Sequence, residues 1–139
     1  MIAPASIADI LGIGDVQTVA DLDGAVSRGL SKLSVSRVVS RIALTERDAR
    51  MLRNQVVPSA TWKRTKGPLS RPASERTERL ARVMAAAEYV WDDATRARQW
   101  MNKPHPELAG RTPLEVASTE LGARSVEELL DKLFYGLPV

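Results

Sequence analysis

WMNKPHPELAGRTPLEVASTELGARSVEELLDKLFYGLPV, residues 100–139, is the stretch that decides the fold. It is punctuated wherever a helix must stop or start. Pro104-His105-Pro106 closes a helix carrying Ala94, Ala97 and Trp100, because proline has no amide to donate and disfavours helix in the residue before it. Thr112-Pro113-Leu114-Glu115 is a compact helix start. Threonine caps, proline occupies the first turn with its preset φ, and the glutamate can reach back to the cap amide. Gly122 is expected to end that helix in the left-handed conformation. Ser125-Val126-Glu127-Glu128 reads as a second capping box. Val126, Leu129, Leu130, Leu133 and Phe134 then follow at i, i+3, i+4, i+7 and i+8, one apolar face of a helix that Gly136 and Pro138 stop.

The same grammar extends toward the N-terminus. Asp92 is expected to cap the helix that holds Trp100, and a long helix before it, ending near Val90, carries Leu80, Val83, Met84, Ala87 and Trp91 as its apolar stripe. Gly67-Pro68 through Pro72 breaks the chain and marks a module boundary. Upstream, Thr45 with Asp48 opens a helix to about Asn54, and Val35, Val38, Val39 and Ile42 stripe another. Val19, Leu22, Val26 and Leu30 pattern a helix from Asp15, as N-cap, to about Arg28. Residues 1–14 are expected to form a flexible arm. No segment alternates with period two between turn signals, so the expected fold class is all-α: helix-turn-helix-like helices over 15–71, then a small helical bundle over 72–139.

Charge divides the chain in three. Residues 1–27 hold four acids and no base, a net charge of −4; residues 28–82 carry +10, and residues 83–139 carry −3. A basic middle between acidic ends suggests two different partners. There is no cysteine, which removes disulfides, thiolate ligands and a cysteine nucleophile. No apolar run approaches membrane-spanning length and no basic leader opens the chain, so a cytoplasmic protein without membrane contact is expected.

Nothing in the sequence asks for catalysis. The single histidine, His105, sits between two prolines, and Glu107 beside it does not complete a metal site. There is no phosphate loop, serine elbow or Glu-x-x-His pair. Asp92 and Asp93, adjacent at a helix start, point apart and serve capping better than acid–base chemistry. No enzyme activity, cofactor or metal is expected.

The basic middle contains a helix-turn-helix candidate: a helix over 45–54, the turn Gln55-Val56-Val57, then a short helix capped by Ser59. Ser59 and Thr61 could meet phosphates, while Lys63, Arg64 and Lys66 could address the backbone or guanine edges of operator DNA. Trp62 is read as a wedge seating the short helix on the bundle, with base or sugar contact as the alternative.

These punctuation points carry a resemblance. Ala97 and Trp100, Asn102, Leu108-x-Gly110, Thr112-Pro113, Gly122-Ala123 and the helix from Val126 to Leu133 ending at Gly136 resemble the toxin-binding domain of Xre/MbcA/ParS-like antitoxins, partners of RES-domain toxins. The likeness covers about residues 80–139 well and 15–75 loosely. Ser118-Thr119-Glu120-Leu121 matches the pattern only weakly. The resemblance implies a type II antitoxin that binds and inhibits a RES-domain toxin acting on the ADP-ribose part of NAD. It makes Tyr135, Gly136, Leu137, Pro138 and Val139 the segment blocking the toxin's active site, with Asn102 and Arg111 as further toxin contacts. It also implies a homo-oligomer, a dimer, within a larger complex, and autorepression through operator DNA. The competing reading is a stand-alone helix-turn-helix transcriptional regulator.

Overall fold

The computed structural model describes residues 2–136, and over these the chain is helical, with no strand. Its elements are α1 (Pro4–Leu11), α2 (Val19–Arg28), α3 (Lys32–Ile42), α4 (Glu46–Val56), α5 (Ser59–Arg64), α6 (Arg71–Trp91), α7 (Ala94–Met101), a 3-10 turn (Pro106–Leu108), α8 (Pro113–Val116) and α9 (Glu120–Phe134).

The 21-residue α6 is the axis. Ser70 caps it by accepting from the Ala73 amide, Pro72 occupies its first turn, and its middle is rich in alanine, the strongest helix former. Leu80, Ala81, Val83, Met84 and the run Ala85–Ala87 are all buried, so the helix is covered on nearly every side. The helices α1, α2 and α3 pack on it, as do α7 and α9. One continuous apolar core runs from Ile7 to Leu130.

Helix ends are closed by side chains from other elements, which ties the bundle together. The last carbonyls of α3 have no partner inside their own helix. Arg98 donates to the Arg41 carbonyl at 3.0 Å and Asn102 to the Ile42 carbonyl at 2.8 Å, both from the α7 side. Arg76 of α6 donates twice to the Val56 carbonyl ending α4, and Ser34 donates to the Leu11 carbonyl ending α1.

Several expected boundaries move. The residues expected as a flexible arm contain α1, whose Ile7, Ala8, Ile10 and Leu11 are buried. Its short apolar stripe found a partner in α6 and α3 that no local pattern announces. Asp15 does not cap α2. Thr18 does, in a full capping box with Asp21, while Asp15 lies in the left-handed region at φ 58°. Ser59 is the first residue of α5, preceded by Pro58 as N-cap with no side-chain bond. Asp93, not Asp92, caps α7 by accepting from the Thr95 and Arg96 amides, and Asp92 closes α6 at φ 50°.

The largest shift concerns Gly122. It neither ends a helix nor is left-handed: it lies in the first turn of α9, where its amide donates to Thr119, the true cap. The Ser125 box is unused because the helix already runs through it, and the Ser125 hydroxyl donates back to the Leu121 carbonyl. Glycine is required for a different reason. A Cβ here would collide with the Val116 carbonyl, so glycine lets α8 and α9 meet backbone to backbone. The Thr112–Glu115 capping box stands as expected.

Replacing Gly122 with alanine should therefore destabilise the fold by about 3 kcal/mol, an overpacking cost against rigid backbone. Leu11→Ala should cost a similar ~3 kcal/mol by opening a cavity under α1. Urea denaturation checks both, and an unchanged midpoint for Leu11→Ala would mean that α1 is not part of the cooperative fold.

Candidate functional site

Two surfaces carry the residues singled out by sequence. The first is the pair α4 and α5. Thr45 caps α4 by accepting from the Asp48 amide, without the reciprocal bond of a capping box. Buried Val56 and Val57 fix the turn to α5. Ser59, Lys63, Arg64 and Lys66 are exposed there, and Thr61 is half-buried, its carbonyl accepting from the Thr65 hydroxyl. Trp62 is half-buried against the core, with the Lys32 ammonium 5.2 Å and the Arg53 guanidinium 4.9 Å from its ring centre. This is the wedge arrangement: the ring seats α5 and gathers cations around itself.

The second surface is the far end of α9. Tyr135 and Gly136 close the helix with amide bonds to the Asp131 and Leu133 carbonyls, and Gly136 takes φ 66°. Leu137, Pro138 and Val139 lie outside the described residues. Phe134 packs on Tyr89 of α6 and on Tyr135, with ring centres 5.1 Å apart in both pairs. All three aromatics remain exposed, and they border a cleft of about 700 Å³ between α1 and α2 on one side and α6 and α9 on the other.

The cleft floor is charged. Arg82 of α6 holds Glu78 at 3.1 Å and both Glu120 and Glu127 of α9 at 2.9 Å, while Arg79 bonds Glu120 and the Ser118 carbonyl. Burial pushes the Glu78 carboxyl above the usual carboxylate range, and the nearby Glu120 and Glu127 charges add to this against the pull of Arg82. Partial burial also pulls Glu120 upward, but hydrogen bonds and charge from Arg82 and Arg79 outweigh it and hold its carboxyl below the usual range.

The two other residues expected to touch a toxin are placed apart from this end. Asn102 donates from Nδ2 to the Ile42 and Arg98 carbonyls, both at 2.8 Å, and so serves as a cap on α3. Arg111 is exposed, its guanidinium 3.5 Å from the Glu115 carbonyl. Neither lines the cleft that Tyr135 borders. Sequence reasoning missed Tyr89 and the α1 and α2 walls. The exposed Tyr89, off the apolar stripe of a buried helix, was the available signal. Among the described residues no cluster of histidine, aspartate and glutamate could hold a metal ion.

A helix-turn-helix region followed by a bundle ending in an exposed aromatic face defines a two-part binding protein. Comparison with known families agrees. Residues 21–82 match the antitoxin Xre-like helix-turn-helix domain, and residues 86–136 match the antitoxin Xre/MbcA/ParS C-terminal toxin-binding domain. Similar proteins include an antitoxin Xre of Pseudomonas putida, 34% identical over 100 residues that make up 68% of this chain and 63% of the relative. An antitoxin Xre of Yersinia enterocolitica is 34% identical over 93 residues, 64% of this chain and 63% of the relative. One of Photorhabdus laumondii is 34% identical over 73 residues, 52% and 49% of the two chains. The chain belongs to the Xre/MbcA/ParS antitoxin family. It spans just under two thirds of the length of the first two relatives. Among the described residues no helix is long and apolar enough to cross a membrane.

Within the ion cluster Glu120 contributes a pH dependence of definite sign, opposite to that of Glu78, whose carboxyl is shifted upward. The folded pKa of Glu120 is depressed, so its stabilisation is full above the ordinary 4.5 and is lost as the pH falls through the lower folded value. Wild type should exceed Glu120→Gln in stability at neutral pH by up to about 1 kcal/mol, given the half-exposed carboxylate. Thermal melts of both chains between pH 7 and pH 3 should converge at the acid end. A constant gap would remove Glu120 as the source.

Proposed function

We propose that this chain is the antitoxin of a type II toxin–antitoxin system and works in the cytoplasm by binding, with no chemistry of its own. Its partner is a RES-domain toxin acting on the ADP-ribose part of NAD. The observation that carries the reading is the match of residues 86–136 to a toxin-binding domain whose last described residues, Tyr135 and Gly136, stand at an exposed aromatic face. The segment Tyr135-Gly136-Leu137-Pro138-Val139 enters the toxin's cleft and blocks access of substrate. Being held by the rigid α9, it loses less entropy on docking than a free peptide. Asn102, committed to the Ile42 and Arg98 carbonyls, supports the bundle from within, and Arg111 offers a separate exposed contact away from this end.

The helix-turn-helix half supplies the second role, autorepression by a homodimer on operator DNA. Exposed Lys63, Arg64 and Lys66 with Ser59 and Thr61 are the contacting residues. The same cationic face supports the second reading, a stand-alone transcriptional regulator whose C-terminal bundle serves only assembly.

Expression of the chain with the gene beside its own tests the first reading. A stoichiometric partner that is toxic when expressed alone is the expected result, and recovery of upstream DNA without such a partner favours the regulator. Deleting residues 137–139 should weaken inhibition of the toxin about tenfold or more while leaving the melting temperature near that of wild type. Full inhibition by the shortened chain would sink the plug. Lys63→Glu with Arg64→Glu should weaken operator binding and flatten its salt dependence, with toxin inhibition unaffected.

A further inference from the structure

The cleft between α1–α2 and α6–α9 is unlike the rest of this surface. The chain carries one phenylalanine and two tyrosines, and all three stand together at its mouth, with Tyr89 61% exposed, Phe134 45% and Tyr135 67%. Val19 on the opposite wall is 70% exposed. Large apolar groups left in contact with water around one concavity mark a surface that another molecule covers, and aromatics are the residues that anchor such contacts. The cleft is also acidic. Five carboxylates and two guanidinium groups line it, a net charge of −3, on a chain whose overall charge is +3. Asp23 of α2 and Asp131 of α9 are exposed and form no ion pair among the described residues.

The geometry points to a partner segment with an apolar face that carries lysine or arginine, and, on the antitoxin reading, that segment belongs to the toxin. The toxin is then held by both halves of the chain, α1 and α2 included, and not by the C-terminal bundle alone. Apolar side chains of the segment cover Val19, Tyr89 and Phe134, while its cations meet Asp23 and Asp131. Charge argues against a second copy of this chain facing the cleft across a two-fold axis, since that pairing would bring two acidic surfaces together.

The test is a titration of the purified product of the adjacent toxin gene into wild type, into Asp23→Lys with Asp131→Lys, and into Arg47→Glu with Arg50→Glu on α4 as a charge-reversal control away from the cleft. The cleft variant should bind about tenfold or more weakly, with a melting curve like that of wild type, and the α4 control should bind as wild type does. Tyr89→Ser, which changes no charge, is the second variant and should also weaken binding. Wild-type toxin affinity in both cleft variants would overturn the proposal while leaving the antitoxin reading intact. A change in self-association with toxin affinity unchanged would assign the cleft to a second copy and overturn it equally. A wild-type chain that binds no toxin would overturn the antitoxin reading, and this proposal with it.

Discussion

The bundle depends on burying α6. A helix apolar on most of its faces is stable only when those faces are covered, and between Leu80 and Ala87 every residue of α6 but Arg82 is buried. Alanine at four of these positions makes the solution possible, because short side chains let neighbouring helices come close on opposite sides at once. Helices drawn from both ends of the sequence supply the cover. The small α1 is ordered for this reason: alone it is too short to persist, and its stability comes from the tertiary contact.

Ion pairs fix how the covering helices are oriented. Arg41 of α3 holds Glu88 of α6 with two bonds, at 2.5 and 2.6 Å, and on another face Arg82 gathers three carboxylates from α6 and α9. Burial of Glu78 carries a desolvation cost that Arg82 offsets only in part, as the upward shift of its carboxyl shows. The cluster joins α9 to α6 through both Glu120 and Glu127 and so favours one arrangement of α9 on α6. That selection matters because α9 ends in the exposed aromatic pair Phe134 and Tyr135.

Much of this was legible in the sequence, for identifiable reasons. Periodicity found α3, α6 and the body of α9, since each has a regular apolar stripe, and the Thr45–Asp48 capping signal found α4. The Thr112–Glu115 capping box is local chemistry and was read correctly. What could not be read was non-local. Gly122 has a punctuation residue's identity, but its cause is the Val116 carbonyl on another helix. Asn102 belongs to the family pattern, yet its amide is committed to the Ile42 carbonyl, sixty residues away in sequence. The cleft is less legible still, because its walls come from four helices and its aromatics from two of them.

The two family matches end at residue 82 and begin at residue 86, so the seam between the halves falls inside one unbroken helix. A helix advances ~1.5 Å and turns about 100° per residue. One residue inserted between Arg82 and Ala86 would therefore swing the toxin-binding half a quarter-turn or more about the other and break the core on both sides. The halves are geared together rather than linked, since the length of this axle sets their phase.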